Sequence, residues 1–387
     1  MSRSPARIEP SRGSIIIDES TAIRTRLRID AYLFRARGTI EVSGGHWAGI
    51  LAESEKKPPL RVIRNTTLMK AIVYSGSELK LEEVEKPVPA DDEVLIKVRA
   101  ASVNPLDYHL LRHPFLRRTI ATASKVKISG VGRDAAGQVE ATGGKVTQFK
   151  PGDEVFGACN GAFGEYACAR EVALAIKPAN VSFEQAASAP VAGLTALQGL
   201  RDKAKVQPGQ KVLINGAAGG VGTFAVQIAK VLGAEVTGVC STRNVEMVRS
   251  IGADTVIDYT REDFTSNGQR YDVIFDLVTN HSFTEHKRSL TREGMYIGAG
   301  MIALHGSMIR LLMGWIPQLV MAPFVSQKFT SFMAKLNDKD LKTLGELMAQ
   351  GKVVPVIDTC YSLSEVPAAV SYLEKGHARG KVIITFA

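Results

Sequence analysis

Cysteine is scarce in this chain, and what there is has no metal-binding spacing. The 387 residues hold Cys159, Cys168, Cys240 and Cys360, with no Cys-x-x-Cys pair and no histidine at zinc-ligand distance along the chain. A disulfide framework and a structural zinc knot are thereby excluded, and a reducing compartment, the cytoplasm, is expected. Long apolar runs are missing as well. The best, Leu311 to Val325, is broken by Gly314, Pro317, Gln318 and Pro323. It is too short and interrupted for a membrane span, and reads as a lid over an apolar pocket or a subunit contact. Internal repeats and low-complexity tracts are absent. A concentrated basic face is also lacking: of the net charge of +9, residues 1–68 hold +5, which leaves +4 spread over the remaining chain. No nucleic-acid partner is expected from such a balance.

What is present begins with Val212-Leu-Ile-Asn-Gly-Ala-Ala-Gly-Gly-Val-Gly222, an apolar strand running into glycines and then into Thr-Phe-Ala-Val-Gln-Ile-Ala-Lys. Gly216, Gly219 and Gly222 permit a sharp turn and a close backbone approach by a pyrophosphate, which the helix N-terminus would attract. Val221, Ala225, Ile228, Ala229 and Leu232 share one helical face, and a second strand, Glu235 to Cys240, completes a βαβ unit. After that strand stands Ser241-Thr-Arg-Asn244, with no acid to bind a ribose 2′-hydroxyl. Hydroxyls plus the Arg243 guanidinium suit a 2′-phosphate, so NADPH is the expected cofactor.

Residues 1–68 are rich in Arg and Ser and carry no long periodic pattern, with Glu53 to Pro59 reading as a linker. The composition mimics an organelle transit peptide, but Glu9, Asp18 and Glu19 dilute that signal. A disordered basic extension, or initiation at Met69, is the expectation. Strand patterns follow at Met69 to Tyr74 and Glu93 to Ala100, then Gly, Pro and Asp punctuate short strands up to Lys177-Pro178. Alternating β and α segments read as strands at Val212 to Ile214, Val236 to Val239, Thr255 to Ile257, Tyr271 to Leu277 and Met295 to Gly298, the signature of a parallel, doubly wound sheet. Strand character returns at Val353 to Ile357 and Lys381 to Phe386. An α/β domain inserted before the end of a β-barrel domain accounts for that order.

Seven motifs then carry a resemblance: Ser102-Val-Asn-Pro-Leu-Asp107, Gly132-Arg-Asp-Ala-Ala-Gly137, Phe149-Lys-Pro-Gly-Asp-Glu-Val155, Gly164-Glu-Tyr166, Gly193-Leu-Thr-Ala196, the Gly216 to Gly222 turn and Gly252-Ala-Asp-Thr-Val-Ile-Asp-Tyr259. From Met69 onward the chain resembles the medium-chain dehydrogenase/reductase superfamily, in its zinc-free quinone oxidoreductase group, and looks closest to the reticulon-interacting mitochondrial reductase branch. The resemblance implies a Rossmann domain at 191–345, inserted in a GroES-like catalytic domain formed by 69–190 and 346–387. It places the pyrophosphate on Ala218, Gly219, Gly220, Val221 and Gly222, and the 2′-phosphate near Ser241, Arg243 and Tyr259. It also sets Thr195 by the nicotinamide half, lines the cleft with Leu277, Val278, Gly298 and Ala299, and closes it with His377, Ala378 and Arg379. Asn104, Asp107 and Tyr108 are its candidate catalytic residues, with His109 beside them. Where zinc-dependent relatives place Gly-His-Glu and their first Cys, this chain has Gly132-Arg133-Asp134 and the Asn104 to Asp107 stretch, so no metal is expected. Thr279-Asn280 stands where the family usually has Gly-Gly. The implied activity is hydride transfer from NADPH to a small apolar carbonyl or quinone, and a homodimer is left open. A non-catalytic NADPH-binding sensor and a zinc-free alcohol dehydrogenase-like enzyme are the alternatives.

Overall fold

The computed structural model describes residues 67–75, 78–107, 130–299 and 326–386. The extension, Tyr108, His109 and the Leu311 to Val325 stretch lie outside them. A hairpin opens the described chain, β1 (Leu68–Ser75) antiparallel to β2 (Glu78–Glu85). The next strands are β3 (Glu93–Val103), β4 (Asp134–Thr142), β5 (Glu154–Ala158), β6 (Tyr166–Arg170) and β7 (Leu174–Ile176). Then α1 (Phe183–Ser188), capped by a reciprocal Ser182–Gln185 box, leads into α2 (Pro190–Leu197).

The second layer is built from β8 (Lys211–Asn215), α3 (Gly220–Val231), β9 (Glu235–Cys240), β10 (Thr255–Asp258), β11 (Tyr271–Asp276), β12 (Leu290–Ala299) and β13 (Lys328–Phe332). Its six strands run in the order β10-β9-β8-β11-β12-β13, and every neighbouring pair is parallel. Helices on both faces leave β8 and β11 fully apolar in their interiors, which is why they read as unbroken hydrophobic runs. From β8 the chain moves outward through β9 and β10, then returns to β11 on the other side. A crevice at the carboxyl ends of the strands opens where that direction reverses.

The last two strands, β14 (Ile357–Ser362) and β15 (Lys381–Thr385), rejoin the first sheet in the order β14-β15-β3-β4-β5-β7, with β6 paired to β3. The expected return is therefore present, but one strand moves. Val353 to Ile357 is not a strand, and β14 starts where that stretch ends. Pro355 lacks an N–H, and Val354 is paired instead to a side chain: its N–H donates to Gln227 Oε1 at 2.7 Å, and its carbonyl accepts from Gln227 Nε2 at 3.0 Å. An amide on α3 thus stands in for a neighbouring strand. The expected single apolar face of α3 is also too narrow, since residues 222–229 are all buried, between the parallel sheet and this returning segment. β13 has no fully buried residue, as fits an edge, and its short mixed pattern gives no clear strand signal in the sequence.

Candidate cofactor cleft and active site

The cleft begins where β8 ends. Gly216 holds φ at +87°, the left-handed region that glycine adopts freely. A Cβ on Gly222 would lie 2.1 Å from the Gly216 carbonyl oxygen, so α3 can close on the turn only with glycine there. Over Gly219, by contrast, a Cβ would meet nothing nearer than 3.5 Å. No side chain caps α3, and as first-turn donors the Val221 and Gly222 N–H groups have no helical partner. Open space above unpaired amides at a positive helix end fits the pyrophosphate of a dinucleotide. Ala218 is buried behind the turn, and its carbonyl accepts from Gly380 N at 2.8 Å.

At the adenosine end, Ser241 follows β9 and its hydroxyl accepts from Asn244 Nδ2 at 3.2 Å. The exposed Arg243 guanidinium donates to the His377 carbonyl, which joins two expected contact groups from opposite ends of the fold. Next to His377, Ala378 is half-buried, and the Arg379 N–H donates to Asp358. Tyr259 is 62% exposed just beyond β10. One acid there escaped the reading of β9 alone. The register of β10 sets Asp258 opposite Cys240, and a hydrogen bond from the Thr242 hydroxyl at 2.6 Å holds its carboxyl below the usual range.

At the other side of the turn, Leu277 and Val278 follow β11 while Gly298 and Ala299 end β12. Register places Asp276 opposite both Asn215 and Gly298, so all four residues share the edge that carries the glycine turn. Thr279 keeps a left-handed φ of +56° where glycine is usual. Its N–H and that of Val278 both donate to Asp276 Oδ1, at 2.9 and 3.0 Å, and Asn215 Nδ2 donates there too. Tyr296 OH donates to the other Asp276 oxygen at 3.0 Å, and His286 Nε2 lies 3.3 Å from it. Burial alone would raise this carboxyl, but the His286 ring and the backbone donors hold it below its ordinary value. A buried carboxylate, silent in the sequence, thus fixes the crevice wall.

Against the turn lies a second buried polar cluster. The Lys381 side chain passes 3.0 Å from where a Gly220 Cβ would be, and its Nζ donates to Asn104 Oδ1 at 2.7 Å. Asn104 Nδ2 donates to Asp134 Oδ2 at 3.0 Å and its N–H to Asp107 Oδ2 at 2.8 Å. Asp134 also accepts from the Ser102 hydroxyl and from Val191 N on α2. One turn further along α2, the Thr195 hydroxyl donates to the Val191 carbonyl at 2.7 Å. The Asn104 amide is therefore taken up by neighbours and positions the cluster. Asp107 Oδ1, fully enclosed, has no hydrogen-bond partner. Burial pushes the Asp107 carboxyl up to about 7, and burial likewise raises Asp134 and lowers Lys381. Lys381 went unnoticed in the sequence, although a lysine opening an otherwise apolar strand is a detectable signal.

Comparison with known proteins gives the same picture. Family models match as "Alcohol dehydrogenase GroES-like domain" over residues 90–179 and "Zinc-binding dehydrogenase" over 251–384. A chloroplastic quinone oxidoreductase of Triphysaria versicolor is 33% identical, covering 82% of this chain and 98% of its own length. An NADPH-dependent alkenal/one oxidoreductase of Arabidopsis thaliana, also chloroplastic, is 36% identical over 82% and 79%. A mitochondrial NAD(P)H oxidoreductase of Mus musculus, RTN4IP1, is 34% identical over 85% and 93%. Among solved structures, the quinone oxidoreductase of Coxiella burnetii superposes with a TM-score of 0.71 at 31% identity, covering 83% of this chain and all of its own. With a parallel sheet set beside a GroES-like domain and relatives matching along nearly their whole length, the chain belongs to the medium-chain dehydrogenase/reductase superfamily, alongside its quinone oxidoreductases and enone reductases.

Proposed function

We propose that the protein is a zinc-independent reductase that uses NADPH to reduce a quinone or an α,β-unsaturated carbonyl. The observation that carries this reading is the direct junction, through Gly380 and Lys381, between the dinucleotide turn and a buried cluster with too few side chains free to hold a metal. Zinc needs about three deprotonated Cys, His or carboxylate ligands. Here the corresponding stretches offer the Asn104 carboxamide, already bonded on both sides, the Arg133 guanidinium, and only two carboxylates, Asp107 and Asp134. Burial pushes both toward their neutral forms, and Asp134 is already taken up by Ser102, Asn104 and Val191. Among the described residues no group of three Cys, His, Asp or Glu is gathered as a metal site. The relatives named as quinone and alkenal/one reductases support such acceptors, which need little polarisation, and the NADPH-dependent name supports the choice made at Ser241 and Arg243.

When bound, the cofactor supplies a hydride. The protein's own part is to hold it and to manage charge. Val221 and Gly222 N–H groups bind the phosphates, Arg243 reaches the 2′-phosphate, and Val278 and Thr279, fixed by Asp276, shape the wall. Asp107 and Asp134, pushed toward their neutral forms by burial, keep negative charge in the cluster beneath the turn low. Leu277, Val278, Ala299 and the segment from His377 to Arg379 exclude water from the cleft.

Steady-state reduction of a quinone and enone panel, with NADPH and with NADH, tests this. Wild-type protein should turn over with NADPH, contain no stoichiometric zinc and resist chelators. Arg243→Ala should raise the KM for NADPH roughly ten- to a hundred-fold, as expected for one charge-assisted contact, while leaving NADH nearly unchanged. Chelator-sensitive oxidation of simple alcohols would return the chain to the zinc-dependent group, and cofactor binding without turnover would make it a sensor. For the compartment, relatives named for chloroplast and mitochondrion favour an organelle over the cytoplasm. Among the described residues no helix is long and apolar enough to cross a membrane.

A further inference from the structure

We propose that Arg133 is the electrophile of this site: its guanidinium hydrogen-bonds the acceptor's carbonyl oxygen and stabilises the negative charge that collects there as hydride arrives. The inference rests on the reductase reading above and goes beyond it by naming the group that does the work assigned elsewhere to a Lewis acid.

Arg133 leaves a rigid base. Gly132 holds φ at +86°, with the Phe163 ring and backbone filling the space of a Cβ within 2.9 Å. The carbonyls of Val131, Gly132 and Arg133 accept from Phe163, Ala162 and Cys159 N–H groups. The next residue, Asp134, is locked inside the buried cluster. From that base the half-buried guanidinium makes one hydrogen bond among the described residues, Nη1 to Asn160 Oδ1 at 3.2 Å, and that partner is neutral. No carboxylate forms an ion pair with it there, because Asp134 faces Lys381 at 4.0 Å and Asp107 faces Asn104. Yet its charge bears on the cluster: burial raises the acids of Asp107, Asp134 and Cys159, and Arg133 offsets part of each rise. A half-buried guanidinium with five N–H donors and one neutral partner among the described residues has donors left for an incoming anion. A planar guanidinium fork is matched to a trigonal oxygen.

The balance of the step is simple. Hydride leaves the reduced nicotinamide, which is oxidised, and forms a C–H bond at the enone β-carbon. The C=C π pair shifts, and the displaced carbonyl π electrons end on oxygen beside Arg133. A proton from solvent then gives the neutral enol. With the Asp107 and Asp134 carboxyls pushed toward their neutral forms, the Arg133 guanidinium leaves the pocket positive when the oxyanion needs it.

The test compares Arg133→Gln and Arg133→Lys with wild type. Arg133→Gln should lower kcat on a simple enone about 100- to 1,000-fold, the range for losing one oxyanion donor, with the NADPH Kd from fluorescence quenching and the thermal midpoint unchanged. A highly electron-poor quinone, whose reduced oxygen carries its charge unaided, should suffer less than about tenfold. Arg133→Lys should recover part of the enone rate, and millimolar guanidinium should partly rescue Arg133→Ala. A readout free of turnover is binding of 4-nitrophenolate, a stable aryl oxyanion, to the NADP+ complex, which should weaken at least tenfold in Arg133→Gln. Enone rates within threefold of wild type, or equal losses on enone and quinone without guanidinium rescue and with phenolate binding unchanged, would overturn the assignment while the reductase reading stands. A wild-type protein that reduces no acceptor removes both.

Discussion

Asp107 is buried away from water, and its behaviour with pH follows from that. Its carboxyl ionises near 3.8 in an unfolded chain and near 7 here, burial being the main cause and the Asn104 N–H the main offset. The neutral form therefore favours the folded protein below pH 4, and this contribution is lost as pH climbs from about 4 through 7. Asp107→Asn keeps an acceptor for Asn104 while removing the charge. Above pH 8 the variant should be more stable than wild type, by up to about 4 kcal/mol on the linkage scale, read as a higher thermal midpoint that no longer falls between pH 6 and 8. A wild-type stability curve flat over that range would show that Asp107 does not titrate there. The sequence named Asp107 and Asn104 through a short turn motif, but not the division of labour between them: Asn104 is bonded on every polar atom, whereas Asp107 keeps one oxygen unpaired. Arg133 stood within a motif without a role assigned to it, and Lys381 went unassigned too, because a cation in a string of other residues shows its role only once its partners are known.

At the scale of elements, the strand-turn-helix from Lys211 to Val231 is the best-written part of the chain. Gly216 and Gly222 are required by backbone geometry, and Gly219 is required only by a ligand, a distinction that two substitutions separate. Gly222→Ala forces a methyl against a backbone carbonyl that cannot give way, so it should cost about 1–3 kcal/mol or more of stability together with cofactor binding. Gly219→Ala meets open space, so the thermal midpoint should hold while NADPH binding, followed by fluorescence, falls at least tenfold. If Gly219→Ala binds NADPH normally, the phosphates do not lie over that turn. The strands of the parallel sheet were legible because burial on both faces demands continuous apolar runs. β13 and the start of β14 were not, since an edge strand and a segment paired to the Gln227 side chain obey no such pattern.

For the whole molecule, three distant contacts tie the returning segment to the dinucleotide domain: Gly380 N to the Ala218 carbonyl, Val354 to the Gln227 side chain, and Arg243 to the His377 carbonyl. The residues from Thr66 onward include three hydrophobic clusters of buried side chains. A chain beginning at Thr66, proposed here as sufficient, should unfold in one cooperative transition in calorimetry and bind NADPH as the full chain does. Loss of that cooperativity would make the preceding residues part of the fold.

The sequence by itself determined the parallel sheet, the glycine turn and the alternation of β and α segments, because periodicity and residue type are local properties written along the chain. Only the tertiary structure decided which polar groups are spent and which are free. It buried Asp276 beneath the crevice wall, carried Lys381 some 277 positions along the chain to Asn104, and left Arg133 with no ion pair among the described residues. Electrostatics acts through space and depends on burial, so the charge state and hydrogen-bond supply of a site exist only once distant segments have met.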